Sequence, residues 1–288
     1  NFIRSTKKKN IFLVRSNKNR GPAFARNLGA KKAKFKYLFF LDSDTEIAKK
    51  TIFYFLKRIK KCDAVVGIYN YKSINNGLFP NHKALFNNFY FAKSGVKKYE
   101  TFHSACAGIK KNIFFKVGGF NPKIRWGMDY ENEELGRRII RKHLMILEPN
   151  MQVYHNFPNA VQMTKLYFRR VKSWVYHFFK DKKFESAGPA TLQMALGSLI
   201  SSSLFFIFII YLMKDNQLVE KLFKINFVIY VLFYIDFFYF VLKKKLFYLP
   251  FCFLINIYIN LVITVSVFFA FFNRILFFPF LNFSKFKT

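Results

Sequence analysis

Two carboxylates lie close together in Asp42-Ser43-Asp44, directly after the apolar run Tyr37–Leu41. Paired carboxylates at the end of a buried strand suit a hard divalent cation, which takes few protein ligands and completes its shell with phosphate oxygens. A cation in that position could hold a diphosphate and neutralise its charge as it leaves. The alternative is helix capping, because Asp and Ser favour N-cap positions and a helix is predicted to follow.

The elements that must position this motif alternate between strands and helices. We predict strands at Ile11–Val14, Tyr37–Leu41 and Ala64–Tyr71, and helices at Gly21–Ala33 and Thr51–Ile59. Such alternation implies an α/β fold with a mostly parallel sheet and helices on both faces. Ligands of these sheets bind outside the carboxyl ends of the strands, which is where the acidic motif would lie.

The charge and the apolar content of the chain together point to a membrane. The chain has 48 Lys and Arg against 15 Asp and Glu, a formal net charge of +33, and 52% hydrophobic residues with 42 Phe. In a soluble chain, this basic excess would suggest nucleic acid. Because the apolar residues form long runs, we expect an anionic lipid surface as the partner and no nucleic acid.

Three apolar runs after residue 190 are predicted to cross the membrane. They are Leu192–Met213, Phe227–Leu242 and Leu246–Phe272. The basic turn Lys243-Lys244-Lys245 predicts the cytoplasmic side, which places residues 1–187 in the cytoplasm. Asp236 interrupts the second run. It is either a functional group within the membrane or a residue near the interface or paired with a lysine, and we favour the second interpretation.

Residues 161–187 have the pattern of a basic amphipathic helix. Between Lys165 and Trp174, cationic side chains, among them Arg169 and Arg170, alternate with apolar ones. This pattern predicts a helix lying in the membrane interface. The two arginines could equally clamp a diphosphate in bidentate fashion, and the two interpretations are compatible.

Further motifs surround the acidic pair, and their order and spacing resemble glycosyltransferase family 2. They are Asn19-x-Gly21-x3-Ala25-Arg26-Asn27-x-Gly29, Gly118-Gly119-Phe120, Glu131-Asn132-Glu133-Glu134-Leu135-Gly136-x-Arg138 and Val153-Tyr154-His155. Members of this family are inverting nucleotide-sugar transferases of GT-A fold. The resemblance covers roughly residues 10–180 and implies a membrane-bound glycosyltransferase.

The resemblance implies a donor site that binds a nucleotide sugar. Its residues would be Asn19, Arg26, Asn27, Asp42 and Asp44. Asp42 would lie near the ribose or the sugar, and Asp44 would be the main ligand of a divalent metal, Mg²⁺ or Mn²⁺. His155 resembles the family's histidine near the metal and the diphosphate. Without that context, a lone histidine is more often structural.

The resemblance also implies an acceptor side, formed by Gly108, Gly118, Gly119 and Trp126. Gly118 and Gly119 would make a tight backbone turn where side chains cannot fit. The acceptor would be a lipid-linked or otherwise membrane-presented glycan.

The catalytic base is where the sequence departs from the family. The family usually has Glu-Asp where this chain has Glu131-Asn132, and that Asp takes the proton of the acceptor hydroxyl. Asn132 cannot accept a proton. Either Glu131 or Asp129 takes the role, or the acceptor is already anionic, as a polyprenyl phosphate would be. We expect Glu131 to be the base.

The expected organisation is a partial GT-A domain at residues 1–160, the amphipathic segment at 161–187 and a membrane region at 188–288. The family's first strands, which bind the nucleotide base, are missing, so we expect an N-terminally truncated domain. The rival functions are a polyprenyl-phosphate glycosyltransferase, a catalytically inactive remnant and a membrane transport subunit.

Overall fold

The computed structural model describes residues 11–124, 130–181, 184–214 and 216–277. The described chain has a mixed α/β part followed by long apolar helices. Its elements are α1 (Gly21–Lys32), β1 (Tyr37–Leu41), β2 (Thr45–Ile47), α2 (Thr51–Ile59), β3 (Ala64–Ser73), α3 (Leu78–Lys93), β4 (Lys97–Lys98), β5 (Cys106–Lys110), α4 (Lys111–Lys116), α5 (Glu131–Ile140), β6 (Met145–His155), α6 (Ala160–Asp181), α7 (Leu192–Met213), α8 (Gln217–Lys244), a 3-10 turn (Leu246–Tyr248) and α9 (Leu249–Phe277).

The chain packs into two compact units. The first unit comprises Asn1–Ser43, Lys49–Gly67 and Val96–Met151. The second unit comprises Asp44–Ala48, Ile68–Gly95 and Gln152–Thr288. This division follows packing rather than sequence order, so it crosses the boundary that the sequence predicts at residue 160.

The strands form a six-stranded sheet of order β1-β5-β3-β6-β2, with β4 paired to β6. In the first unit, β5 is antiparallel to β1, with Phe39 opposite Gly108, and to β3, with Val65 opposite Gly108. In the second unit, β2 is antiparallel to β6, with Thr45 opposite His155. Gly108 therefore lies at the centre of a three-stranded layer.

The mixed α/β class is confirmed, but the pairing direction differs from the expected mostly parallel sheet. β1 and β3 do run in the same direction, since both are antiparallel to β5, which lies between them. β5, which comes later in the chain, thus lies between β1 and β3, where a parallel strand was expected. β3 and β6 run in the same direction, because Ala64 N donates to Leu144 O and Ile74 N donates to His155 O.

The strand predicted at Ile11–Val14 is wrong, since these residues have no regular secondary structure. Ile11, Phe12 and Leu13 are all exposed. An apolar run becomes a strand only where a neighbouring strand takes its backbone hydrogen bonds, and in the described sheet none pairs with this segment. The other strands and helices predicted before residue 72 agree with the structure to within two residues at each end.

Aromatic side chains form much of the core of the first unit. Phe40 on β1 contacts the rings of Phe102, Phe114 and Phe120, with centroids 5.3 to 5.7 Å apart. Such offset and edge contacts add to the free energy that area burial supplies. The core therefore fixes the end of β1, from which the acidic motif projects.

Three helices of the second unit are long and apolar enough to cross a membrane: α7, α8 and the segment Leu246–Phe272. Buried side chains hydrogen-bond between them: Ser198 Oγ lies 2.9 Å from Asn260 Oδ1, and Asn260 Nδ2 lies 3.0 Å from the Tyr234 hydroxyl. Where no water competes, such bonds fix the helices against one another.

α8 begins ten residues before the predicted span at Phe227. Asn216 caps its first turn by accepting from Leu218 N and Val219 N, and Glu220 pairs with Lys224 one turn later. These contacts support a helix through charged residues that hydropathy alone leaves outside the span.

Asp236 pairs with a lysine, as the favoured interpretation holds. Its Oδ2 lies 2.5 Å from Lys93 Nζ at the end of α3, and both side chains are exposed. Both residues belong to the second unit. The pair gives the carboxylate within this apolar helix a cationic partner.

α6 covers most of the predicted amphipathic segment and packs against α9. Phe168 contacts Phe269, and the Thr164 and Tyr258 hydroxyls lie 2.8 Å apart. Arg169 and Arg170 are exposed, while the Trp174 ring stacks on Phe178 at 5.1 Å.

Candidate active site

The acidic motif forms the turn between β1 and β2. The helix that follows, α2, begins only at Thr51, and its N-cap residue is Lys50, with no side-chain cap hydrogen bond. The helix-cap alternative for Asp42 and Asp44 is therefore wrong. Neither carboxylate caps α2, and both follow the end of a buried strand, as the metal-site interpretation requires.

In the first unit, Arg26 joins the acidic motif to the predicted base. Its Nη2 donates to Asp42 Oδ1 at 2.8 Å, and its Nη1 lies 3.5 Å from Glu131 Oε1. The three side chains are partly buried, with exposed fractions of 18%, 32% and 14% for Arg26, Asp42 and Glu131. Residues distant in the sequence thus form one charged cluster, in which a single guanidinium serves two carboxylates.

The position of Arg26 is set by the segment that follows the glycine pair. Its Cζ lies 5.3 Å from the centroid of the Phe120 ring, a cation–π contact. The adjacent Asn27 donates from Nδ2 to Phe120 O at 2.7 Å and accepts from Phe120 N at 2.9 Å. These two bonds fix α1 to the glycine turn and so fix the guanidinium.

The glycine pair makes the tight turn that the sequence predicts. Gly118 and Gly119 have φ angles of +84° and +66°. A Cβ on Gly119 would lie 2.7 Å from Asn27 Oδ1, so the close approach of α1 also requires glycine. Arg138 on α5 donates to Val117 O and Gly119 O, and pairs with Glu134. It thereby links α5, the helix that begins with Glu131, to the turn.

In the second unit, Asp44 and His155 converge at the end of the β2–β6 pair. Asp44 Oδ2 lies 3.5 Å from His155 Nε2. The backbone brings them together, because Thr45 is opposite His155 and Asn156 N donates to Asp44 O at 3.0 Å. The His155 side chain is 16% exposed and that of Asp44 is 50% exposed, so the pair opens to solvent on the carboxylate side.

This pair fits two ligands of one divalent ion. Ligand atoms at right angles around a Mg²⁺ or Mn²⁺ ion are about 3 Å apart, close to the observed separation. Within the described ranges, no cluster of three or more His, Cys, Asp or Glu side chains could hold a metal. The remaining positions would then belong to water and phosphate oxygens, which is usual for ions that carry nucleotides.

The ring of His155 is held by two aromatic side chains that the sequence did not single out. Tyr69 and Phe157 lie 4.9 and 4.5 Å from it, centroid to centroid. In a chain with 21% aromatic residues, no sequence signal separates these two from the rest.

The other predicted site residues have varied surroundings. Asn19 Oδ1 accepts from Gly21 N at 3.1 Å and so shapes the start of α1. Gly108 packs under α2, where a Cβ would meet the Phe55 ring at 2.1 Å, and its acceptor role stays a prediction. Asn132 Oδ1 is buried and has no hydrogen-bond partner among the described residues. Trp126 and Asp129 lie outside the described residues.

Comparison with known proteins finds a matching family and similar proteins. Residues 2–118 match the model of the family described as glycosyl transferase family 2. A curated relative, the teichoic acid poly(glycerol phosphate) polymerase of Staphylococcus epidermidis, is 21% identical over 186 residues. The match covers 64% of this chain and 22% of the relative, so the chain spans about a fifth of that protein's length.

Two solved structures resemble the chain more distantly. The mannosyltransferase PcManGT from Pyrobaculum calidifontis, in complex with GDP-Man and Mn²⁺, is 17% identical with a TM-score of 0.49, over 85% of this chain and 69% of its own. GalNAc-T7 with UDP, GalNAc and Mn²⁺ is 18% identical with a TM-score of 0.39, over 56% and 35%. By the family match over residues 2–118 and by the curated relative, the chain is similar to glycosyltransferases of family 2.

Proposed function

We propose that this enzyme transfers a sugar, with inversion, from a nucleotide-sugar donor to a lipid-linked or otherwise membrane-presented glycan acceptor. The observation that carries the proposal is that Asp44 and His155 lie 3.5 Å apart. Asp42, two residues before Asp44, pairs with Arg26, which also contacts Glu131. The second unit thus supplies a candidate metal ligand pair, and the first unit supplies a candidate base.

Asp44 and His155 would hold a divalent metal. When bound there, the ion would neutralise the diphosphate as it leaves the anomeric carbon. Mn²⁺ suits the pair better than Mg²⁺, because an imidazole nitrogen is a softer ligand than the oxygens that Mg²⁺ prefers. The two solved structures named above contain Mn²⁺, but the choice of Mn²⁺ here rests on the ligand chemistry of the pair.

Glu131 would act as the general base. The acceptor oxygen forms a bond to the anomeric carbon while the bond to the diphosphate oxygen breaks, and Glu131 takes the acceptor's proton. Displacement on the opposite face inverts the anomeric centre. Arg26 would hold the carboxylate of Glu131 in place, and Asp42 would contact the ribose or the sugar of the donor.

A polyprenyl phosphate is the second candidate acceptor. The observation that favours it is Asn132, which stands where the family usually has a carboxylate base. A phosphate oxygen is already anionic and needs no deprotonation, and the Asn132 amide could hydrogen-bond to it. Mass analysis of the extracted lipid product would separate a charged carrier lipid from an extended glycan.

The membrane helices would keep the catalytic part at the bilayer surface. Three spans with the basic turn Lys243-Lys244-Lys245 on the cytoplasmic side would leave residues 1–187 in the cytoplasm, where nucleotide sugars are made. The amphipathic α6, with Arg169, Arg170 and Trp174, would line the interface or the diphosphate.

The proposal is tested by turnover. The full-length enzyme is incubated with a panel of nucleotide sugars, a membrane lipid extract as acceptor and Mn²⁺ or Mg²⁺, and release of nucleoside diphosphate is measured. We expect metal-dependent release with at least one donor and its loss in Asp44→Ala. No release with any donor, and nucleotide binding unchanged in Asp44→Ala, would indicate the inactive remnant or the transport subunit instead.

A further inference from the structure

A basic turn lies between two of the apolar helices and is not used by the proposed reaction. Lys243 and Lys244 end α8, Lys245 is its C-cap residue, and the 3-10 turn Leu246–Tyr248 leads into α9. Both helices belong to the second unit and are candidate membrane spans. The turn would therefore meet the polar surface of a bilayer, where its side chains contact lipid headgroups.

Two lysines of this turn form a cluster with a third from β3. Lys244 Nζ lies 4.8 Å from the centroid of the Tyr71 ring, and Lys72 Nζ lies 5.8 Å from the same centroid. Lys245 Nζ donates to Asn81 Oδ1 at 2.7 Å. Burial, and then the charge of Lys72, lower the pKa of Lys245. We call Lys72, Lys244 and Lys245 the lysine cluster.

No described carboxylate neutralises the lysine cluster. The ion pairs of the described second-unit lysines are Lys93 with Asp236 and Lys224 with Glu220, and neither involves the cluster. Like charges held together repel one another, so an anion placed among them is favoured. Phosphate, with its several acceptor oxygens, can accept from more than one ammonium group at once.

An apolar cleft adjoins the lysine cluster. The cleft has a volume of about 390 Å³ and is lined by Leu78, Lys245, Leu246, Phe247, Tyr248 and Phe251. Its floor is fixed by the Tyr248 hydroxyl, which donates to Leu78 O at the start of α3. Phe247 is 91% exposed, which is unfavourable in water and favourable against hydrocarbon.

The cleft and the lysine cluster together match an anionic amphiphile. Lys245 belongs to both, so the charged and apolar surfaces are continuous. We propose that this is a binding site for an anionic phospholipid of the surrounding bilayer. Its phosphate contacts the lysine cluster, and the upper part of an acyl chain lies along Phe247 and Phe251. A free phosphate would use the lysines but not the apolar wall.

The test counts the lipids that the protein retains. The full chain is reconstituted in phosphatidylcholine bilayers with and without phosphatidylglycerol, and the phosphatidylglycerol retained after extraction is counted by native mass spectrometry. We expect Lys72→Gln/Lys244→Gln/Lys245→Gln to bind about tenfold more weakly or worse, because the lipid phosphate beside the cleft then loses its charged hydrogen-bond donors. The charge-matched control Lys214→Gln/Lys221→Gln/Lys224→Gln, at the other end of α8, should bind like the wild type.

Two further variants separate the outcomes. Lys72→Gln/Lys244→Gln leaves the Lys245–Asn81 bond intact, so it reports on binding if the triple variant fails to fold. Phe247→Ser should also weaken retention, because it removes the exposed apolar wall. Equal retention by wild type and cluster variants, or equal loss in the control variant, would overturn the proposal. So would displacement of the lipid by excess inorganic phosphate together with no effect of Phe247→Ser.

Discussion

At the scale of single residues, the proposed chemistry depends on Asp42, Asp44, Glu131 and His155, which the sequence analysis singled out. The sequence could not tell which of them meet. The structure pairs Asp44 with His155 and connects Asp42 to Glu131 through Arg26. Arg26 was expected in the donor site, and its contact with Glu131 depends on a fold that brings together residues 105 positions apart.

Replacing Glu131 by Gln tests the base. Gln keeps the size of the side chain and its bond from Arg26 but cannot take a proton. We expect turnover to fall about 10²- to 10⁴-fold, as for loss of a general base. Donor binding, measured by calorimetry, should stay within about twofold of the wild type. Undiminished turnover would show that another group, or an anionic acceptor, makes the base unnecessary.

Arg26→Lys keeps the charge but loses the planar fork that reaches both carboxylates. We expect turnover to fall about tenfold or more, because Glu131 is then held less firmly. Arg141, an exposed arginine just after α5, provides the control, and Arg141→Lys should be as active as the wild type. If both variants were equally active, Arg26 would have no positioning role.

At the scale of elements, most helices and strands could be predicted because their periodicity and boundaries are local properties. The strand predicted at Ile11–Val14 is wrong because strand formation depends on a neighbouring strand. The prediction of a mostly parallel sheet did not foresee β5, which lies antiparallel between β1 and β3 and comes from a distant part of the chain. The Gly118-Gly119 turn was predicted correctly because the tight turn that two glycines allow is a local property of the sequence. The contact of Gly119 with Asn27 is not local.

The turn can be tested by stability. Gly119→Ala adds a Cβ both at positive φ and 2.7 Å from Asn27 Oδ1. Gly95 also has a positive φ, +65°, but open space around it, so Gly95→Ala isolates the backbone strain. We expect Gly95→Ala to cost about 1 kcal/mol and Gly119→Ala about 2–3 kcal/mol of unfolding free energy. Equal costs in thermal unfolding would remove the steric part of the explanation.

Asp63, directly before β3, gives a pH dependence. Burial acts to raise its pKa, but the hydrogen bond from Lys110 and the backbone N–H of Leu144 outweigh burial and lower the pKa below 3.8. The stabilisation is therefore present above the pKa of the unfolded state and is lost as the pH falls through that of the folded state.

We expect Asp63→Asn to lose about 1–2 kcal/mol of unfolding free energy at neutral pH, as for a charged hydrogen bond. The variant and the wild type should converge as the pH falls below about 4, because the protonated aspartic acid has lost the same interaction. Thermal unfolding in detergent between neutral and acid pH measures both curves. A gap that stays constant down to the lowest pH would contradict the assignment.

At the scale of the whole molecule, the chain combines a region that matches the glycosyl transferase family 2 model, residues 2–118, with three helices long and apolar enough to cross a membrane. Composition and hydropathy predicted the helices, since length and apolarity are local. They could not predict that residues 44–48 and 68–95 pack with those helices in one compact unit. Asp44 and His155 thus belong to the same unit as the three candidate membrane helices.

The central claim is that Asp44 and His155 hold the metal that carries the donor diphosphate. Binding of Mn²⁺ to the full-length protein, measured by electron paramagnetic resonance with and without a nucleoside diphosphate, tests it most directly. We predict nucleotide-enhanced binding in the wild type and at least about tenfold weaker binding in Asp44→Asn and in His155→Gln. Mn²⁺ binding with wild-type affinity in both variants would contradict it.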